Sequence, residues 1–574
     1  MERDVNALYQ EWKRLATEDL DVAAELQKIE GDNEAIFDRF YQSLKFGTAG
    51  LRGVIGAGTN RMNIYTVNQA TQGLADFLNS TYEEPSVAIA YDSRIKSDVF
   101  SKSAAGVLAA NGIKVYIYKE LMPTPMLSFA VRELECQSGI IITASHNPSQ
   151  YNGYKCYDPE GYQMTDDAAN KTYEFIERVD LFTGVKKMSF EEGLEKGLIE
   201  YISDDVIEEF YSRVLTCQIT PGVCAKADLN VIYTPLNGTG NKPVREILRR
   251  IGQKNVRVVP EQELPDGTFP TCPYPNPEIK QVFECGINMS KDDPADLLLA
   301  TDPDCDRVGI AVKDGGEYHL MSGNEVGAML LEYILKNRTE KQNLPAHPIA
   351  VKSIVTSDLI DRIAEHYHCE VRSLLTGFKY IGELVTNLEK VEEEDRFVFG
   401  MEESYGYLCG THARDKDAVV ASMLICEMAA YYKLQGKTLV QVMREIYAKY
   451  GMYLSRLLNF AFEGAAGMEK MQGIMDSLRR EHPSEIAGRK VLFSADYQSG
   501  DCLDHSTGAH SKTGLPTSNV LTYKLEDRST VIVRPSGTEP KIKVYITAVA
   551  SGRDAALAVA DALEKDIKLK MHIE

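Results

Sequence analysis

Apolar residues follow two patterns along this chain: short unbroken runs, and longer segments in which they recur at helical spacing. Val87-Ala88-Ile89-Ala90, Gly139-Ile140-Ile141-Ile142, Asn230-Val231-Ile232-Tyr233, Leu297-Leu298-Leu299-Ala300 and Ile349-Ala350-Val351 are runs of the first kind. They read as buried parallel strands, because a strand covered on both faces loses its polar alternation. Helices are predicted at 98–111, closed by Asn111-Gly112, at 241–251, at 357–367 and from Gly377 to Lys390. Val256-Arg257-Val258-Val259, residues 370–375 and Arg396-Phe397-Val398 are further strand candidates. Strand–helix alternation thus recurs in 86–145, 228–302 and 348–404, an internal structural repetition with little sequence similarity between the units. Val5, Leu8, Trp12, Leu15 and Leu20 predict a helical extension over 5–29 that packs on the first domain. The last segment, 453–574, alternates strands with helices at 467–481 and 553–569. Residues 497–519 are rich in Ser, Gly, Thr and His without periodicity and predict an inserted polar loop.

Chemistry-bearing residues collect where the apolar runs end. Thr143-Ala144-Ser145-His146-Asn147 follows one run, with Pro148 next. Ligands in open α/β sheets bind beyond the carboxyl ends of strands, so the Ser145 hydroxyl is placed to meet one. Asp302-Pro303-Asp304-Cys305-Asp306-Arg307 follows another run. Three alternating carboxylates on an extended loop can converge on one cation, and hard oxygen ligands suit Mg²⁺. An EF-hand reading fails at the sixth loop position, where Arg307 replaces glycine, and at the twelfth, where Lys313 replaces Glu. Phe399-Gly400-Met401-Glu402-Glu403-Ser404-Tyr405-Gly406 follows the strand candidate at 396–398. Arg534-Pro535-Ser536-Gly537-Thr538-Glu539-Pro540 joins Thr530-Val531-Ile532-Val533 to Lys541-Ile542-Lys543-Val544-Tyr545. That turn offers a guanidinium fork, hydroxyls and backbone N–H groups, a chemistry suited to a phosphate dianion.

In this order the four loops resemble those of the α-D-phosphohexomutases, in the branch containing phosphoglucomutases and phosphopentomutases. Phe46-Gly47-Thr48-Ala49-Gly50-Leu51-Arg52-Gly53, Tyr91-Asp92-Ser93-Arg94, Tyr151-Asn152-Gly153-Tyr154-Lys155 and Thr376-Gly377-Phe378-Lys379 extend the resemblance to about residues 40–550. It implies an α/β fold of three similar α/β domains and a C-terminal α+β domain around a central cleft. The expected division is an extension at 1–40 and domains at 41–210, 211–325, 326–452 and 453–574, each domain carrying one loop. The resemblance makes Ser145 the phosphoryl carrier and Ser145, Asp302, Asp304 and Asp306 the Mg²⁺ ligands. It places Arg307, Glu402, Ser404, Arg534, Ser536, Gly537, Thr538 and Lys543 on the substrate. Lys155, Lys379 and His146 are candidates for proton transfer, with Arg52 near the phosphoryl group. Asn237 stands where many relatives carry His, with a structural effect expected.

Composition narrows the partners. The chain has 574 residues, enough for about four domains at ~150 residues each. Its net charge of −21 opposes nucleic acid and anionic membranes as partners. A small sugar phosphate fits only if a cleft is locally cationic; Arg52, Lys155, Arg307, Lys379, Arg534 and Lys543 supply such a set, and screening over ~8 Å lets a cleft differ in sign from the whole surface. No apolar stretch approaches the ~20 residues of a membrane span. Met1-Glu2-Arg3-Asp4 lacks a signal core, and the eleven scattered cysteines fit a reducing compartment, so a cytoplasmic location is expected.

The activity the resemblance implies is an isomerase, an intramolecular phosphotransferase that interconverts glucose 1-phosphate and glucose 6-phosphate. It would run through phosphoserine and a bisphosphorylated sugar, with glucose 1,6-bisphosphate as activator. Glu402-Glu403-Ser404 is closer to glucose-type members than to those acting on mannose or glucosamine phosphates. Ribose 1-phosphate, deoxyribose 1-phosphate and mannose 1-phosphate remain alternative substrates. A serine-nucleophile phosphatase and a catalytically silent sugar-phosphate sensor are the readings from other classes.

Overall fold

The computed structural model describes residues 4–47, 50–462, 464–536 and 541–573. The chain forms two compact units. The first comprises Met1–Gly323, Phe378–Gly400 and Ser404–Thr438, and the second Asn324–Gly377, Met401–Glu403 and Leu439–Glu574.

In the first unit, a six-stranded sheet has the order Gly50–Val54, Tyr151–Tyr157, Ser138–Ile142, Ser86–Tyr91, Lys114–Ile117, Ile199–Tyr201. The last four of these run parallel, and the first two are antiparallel additions at one edge. A second sheet has the order Glu317–Met321, Val308–Asp314, Leu297–Thr301, Asn230–Thr234, Asn255–Val258. Strands Ser138–Ile142 and Leu297–Thr301 are buried at every residue, which is why each reads as an unbroken apolar run.

The helical extension is not one helix. It breaks into Val5–Leu15 and Leu20–Lys28, followed by Asn33–Phe40. Asp19 starts the second helix by accepting bonds from the Asp21 and Val22 amides, so the chain turns there instead of running on. Trp12 is fully buried, its ring meeting Phe40, Tyr65 and Phe182 edge-on, and it shares a core with the first sheet.

In the second unit, Ile349–Ser353 and Glu370–Leu374 pair in parallel. The C-terminal sheet is antiparallel throughout, in the order Met452–Ala461, Lys541–Ala550, Thr530–Pro535, Leu521–Leu525, Arg489–Asp496, Asp501–Asp504, Ala509–Lys512. Helices Gly464–Glu481 and Arg553–Lys570 contribute Met475, Leu478, Leu563 and Ile567 to its core. Residues 497–519 depart from the expected loop. Asp501–Asp504 and Ala509–Lys512 form a hairpin whose turn is held by the Asp504 carboxylate accepting the Ser506 and Thr507 amides. Only Cys502 of that hairpin is buried, so no apolar alternation marks it in the sequence.

All eleven cysteines are unpaired. Among the described residues, no helix is long and apolar enough to cross a membrane.

Candidate functional site

The turn after strand Ser138–Ile142 carries Ser145 in the left-handed region, at φ +53°. Few non-glycine residues adopt that conformation. The Thr143 hydroxyl accepts the Ser145 amide at 2.8 Å, which anchors the turn locally. Gly153 lets strand Tyr151–Tyr157 approach from the side: a Cβ there would lie 2.5 Å from the Thr143 carbonyl oxygen. With the turn fixed, the Ser145 hydroxyl donates to Asp302 Oδ2 at 3.1 Å and lies 3.1 Å from His146 Nδ1.

The Asp302–Arg307 loop closes on itself. Asp302 Oδ1 accepts the amides of Asp306 and Arg307 at 3.1 and 3.0 Å, with Cys305 at φ +52° between them. This gathers Asp302, Asp304 and Asp306 so that one oxygen of each lies within 4.8 Å of the others, all three buried. Lys155 stands 3.1 Å from Asp304 Oδ2, and the Thr124 hydroxyl donates to the same oxygen at 3.3 Å. Asp304 Oδ1 and Asp306 Oδ1 are buried without a hydrogen-bond partner.

Electrostatics state the same imbalance. Burial, with the charges of Asp304 and Asp306, pushes the Asp302 carboxyl well above its usual range, and burial with Asp304 pushes Asp306 up. Burial opposes ionisation of Asp304 as well, but the Lys155 ammonium overrides it and holds that carboxyl low. Three hard anionic donors and two unpartnered buried oxygens fit a divalent cation, which would relieve both the desolvation and the repulsion.

The remaining expected residues fall as follows. Arg52 donates to Asn147 Oδ1 at 3.3 Å. Arg307 pairs with Glu278 at 3.1 Å. Burial lowers the affinity of His146 for a proton, and the Arg307 and Arg52 charges lower it further, so the ring stays neutral. Lys379 is buried and bonded to Asp166 at 2.6 Å. Ser404 lies half-buried in the first unit. In the second unit, Glu402 Oε1 accepts the Gly377 amide at 2.8 Å. Arg534 and Lys543 stand opposite each other in antiparallel register, and the Ser536 amide bonds the Lys541 carbonyl at 2.8 Å. Gly537 and Thr538 lie outside the described residues. Asn237, at φ +55°, donates to the Leu264 carbonyl at 2.8 Å, a turn-holding role.

Two residues escaped the sequence reading. Lys416 Nζ lies 3.1 Å from Asp306 Oδ2 and 3.0 Å from Asp415 Oδ1, and Asp415 accepts the Tyr157 hydroxyl at 2.7 Å. Arg94 grips the Ser145 turn through its backbone carbonyls. Tyr91-Asp92-Ser93-Arg94 carried a signal of place but none of role, and Arg414-Asp415-Lys416-Asp417 reads as an ordinary charged stretch.

Fold and site together define a multidomain α/β protein with a buried carboxylate triad against a serine hydroxyl. Four family models match consecutive segments: phosphoglucomutase/phosphomannomutase α/β/α domains I, II and III over residues 43–182, 208–316 and 322–450, and the family's C-terminal domain over 458–565. The chain belongs to this family, the α-D-phosphohexomutases. It is 37% identical over 533 residues to the phosphoglucomutase of Staphylococcus saprophyticus, covering 90% of this chain and 95% of that one. Among solved structures, parafusin (a phosphoglucomutase) from Paramecium aligns over 92% of this chain and 95% of its own, at a TM-score of 0.68 and 18% identity. A phosphoglucomutase/phosphomannomutase family protein from Burkholderia thailandensis aligns over 92% and 97%, at a TM-score of 0.66 and 17% identity. These two likenesses show the fold.

Proposed function

We propose that the protein interconverts glucose 1-phosphate and glucose 6-phosphate, with Ser145 carrying the phosphoryl group between the two ends of the sugar. The family makes it an isomerase, an intramolecular phosphotransferase. The observation that carries the Ser145 assignment is its hydroxyl, 3.1 Å from a triad whose buried oxygens include two without partners. Glucose is supported by the name of the Staphylococcus relative and by Glu402-Glu403-Ser404.

In the first half-reaction the bond from phosphorus to Ser145 Oγ breaks and a bond to a sugar hydroxyl forms. The proton of that hydroxyl passes to one of Lys155, Lys379 or His146, and Ser145 Oγ leaves carrying a proton returned by that group. The bisphosphate then reorients, and the other phosphate returns to Ser145 with the proton movements reversed. Phosphoryl transfer asks chiefly for alignment and charge neutralisation. Mg²⁺ held by Asp302, Asp304, Asp306 and the Ser145 oxygen would supply charge neutralisation at the transferring group. His146 Nδ1 lies 3.1 Å from Oγ, within reach of the proton at the serine end. Lys155, Lys379, Arg52 and Arg307 add positive charge for the phosphoryl oxygens. Glu402 and Ser404 bind ring hydroxyls. Arg534 and Lys543, with Ser536, Gly537 and Thr538, bind the phosphate that is not being transferred. Free glucose 1,6-bisphosphate would recharge an enzyme that has lost its phosphoryl group.

The test is an assay with glucose 1-phosphate, Mg²⁺ and a trace of glucose 1,6-bisphosphate, beside ribose 1-phosphate and mannose 1-phosphate. Formation of glucose 6-phosphate faster than either parallel product is expected, together with phosphate on Ser145 in the intact protein. Faster turnover of ribose 1-phosphate would move the assignment to a pentomutase. Release of inorganic phosphate without isomerisation would make the protein a phosphatase, and no turnover of any sugar phosphate would favour a sensor.

A further inference from the structure

The Ser145 turn rests on one buried side chain. Strands Ser86–Tyr91 and Ser138–Ile142 are parallel neighbours with Tyr91 opposite Ile142, so the segments leaving them, Asp92–Arg94 and Thr143–Asn147, emerge side by side. The Arg94 side chain is fully buried, and its guanidinium sits 5.1 Å over the Phe269 ring. It donates to the carbonyl oxygens of Ser145 at 2.5 Å, Pro148 at 2.9 Å and Tyr151 at 3.1 Å, and to that of Asn147. Asp92 supplies the counter-charge at 3.3 Å from Nε. It is itself fixed by the Arg94 amide at 2.9 Å and the Ser97 hydroxyl at 2.7 Å.

A buried cation is tolerated only where it is paired and hydrogen-bonded. Here the partners are one carboxylate, three carbonyls of the turn and the carbonyl of Tyr151, where the next strand begins. The turn needs such help, because Ser145 at φ +53° occupies a conformation that persists only when its surroundings over-determine it. The planar guanidinium reaches several acceptors at once, which a lysine ammonium on its flexible stem does not. The carbonyl dipoles of the turn also end on a positive charge, leaving their negative ends compensated beside a residue that would carry a phosphoryl dianion.

We propose that Arg94, set by Asp92, is a positioning residue for phosphoryl transfer: it clamps the turn so that Ser145 Oγ stays aimed at the Asp302 triad. The proposal rests on the reading of Ser145 as the phosphoryl carrier. Arg94 meets the carbonyls of the turn, Asp92 and the Phe269 ring, none of them a group assigned to the substrate, so its loss should slow the chemistry and leave substrate affinity nearly unchanged.

Arg94→Lys and Asp92→Asn in the full chain with Mg²⁺ provide the test. The measurements are the rate of Ser145 phosphorylation by glucose 1,6-bisphosphate, kcat and KM for glucose 1-phosphate, and Tm. Misplacement of a reacting group by about 1 Å costs on the order of 10²-fold. Arg94→Lys should therefore lower kcat and the phosphorylation rate by about 10- to 100-fold, with KM changed by less than about threefold. Asp92→Asn should move both rates in the same direction by less. A lower Tm with wild-type rates in the folded protein would overturn the proposal, leaving Arg94 a packing residue. If Arg94→Lys does not fold, Asp92→Asn is judged by the same criteria. A wild-type enzyme that never takes phosphate on Ser145 would overturn the phosphoserine reading and this proposal together; a phosphorylated wild type beside variants at full rate would overturn the proposal alone.

Discussion

Two charge clusters in this protein, each built on a buried charged group, stand on opposite terms. Asp302, Asp304 and Asp306 bring three carboxylates together, with lysines at two of them, Arg307 3.8 Å from Asp306, and two buried oxygens that accept no hydrogen bond among the described residues. In the second unit, Lys352 is as deeply buried but lies 2.7 Å from Asp358 and 2.5 Å from Asp361. Lys524 stands 3.4 Å from Asp358 Oδ2, which also accepts the Thr530 hydroxyl at 3.3 Å. Burial opposes the charge of Lys352, yet Asp358 and Asp361 override it and raise its proton affinity; burial likewise opposes ionisation of Asp358, which Lys352 and Lys524 hold low. In the triad, by contrast, Asp302 and Asp306 are pushed up. The self-neutral cluster belongs to the fold, whereas the unbalanced one is shaped for a ligand. A count of acidic residues would not separate them; the sign of the pKa shifts and the unpartnered oxygens do.

The sharpest break of this contrast is at the serine. Ser145→Ala should abolish mutase turnover with Tm nearly unchanged, read by glucose 6-phosphate formation and thermal melting. Substantial turnover in that variant would remove the phosphoserine mechanism. Next comes the triad itself. Chelation should stop the reaction and Mg²⁺ restore it. Asp304→Asn should weaken Mg²⁺ binding by calorimetry beyond the ~10- to 100-fold typical of outer-shell partners, because an anionic ligand is lost. Unaltered Mg²⁺ affinity would take Asp304 out of the metal site.

The self-neutral cluster should respond in the other currency, stability. Lys352→Met leaves Asp358 with Lys524 alone and should cost about 3 kcal/mol, the lower end for breaking a buried pair, since Asp358 keeps 26% of its side chain in water. Denaturant unfolding measures this, and kcat per folded molecule should not move; a loss of kcat without loss of stability would make Lys352 part of the site. Arg534→Ala should lower kcat/KM for glucose 1-phosphate by about 10- to 150-fold, from ~1.5–3 kcal/mol for a charge-assisted bond. Arg534→Lys should recover part of that. A drop in Tm with full kcat/KM would instead mark a structural role.

Glu403 sharpens the comparison within the second unit. It accepts the Ser353 hydroxyl at 2.9 Å, and burial, with the charge of Glu402, pushes its carboxyl from 4.5 to about 7. The folded state therefore binds this proton more tightly than the unfolded state. The contribution to stability is present below pH 4.5 and is lost as pH rises through about 7. Glu403→Gln should remove on the order of 3 kcal/mol of pH dependence across that window. Parallel stability–pH curves for the two proteins would show Glu403 to be ionised as readily as in water.

The sequence by itself determined which local structures form and which chemistry each carries. The all-apolar runs ending at Ser145 and Asp302 are legible because strands buried on both faces leave no polar alternation. The hairpin at Asp501–Lys512 is not, because both its faces are largely in water and its apolar pattern is blank. Tertiary structure alone decided which of those chemistries meet. Ser145 and Asp302 are 157 residues apart. Lys416, far along the chain from the triad, reaches Asp306, while the string around it looks like ordinary solvated charge. On the Ser145 turn Arg94 binds only carbonyl oxygens, which every residue has, so no side-chain motif can announce that partner. Local patterns fix backbone conformation through short-range sterics and burial. The worth of a charge depends on the distance and dielectric that the folded chain gives it, and those exist only once distant segments have packed.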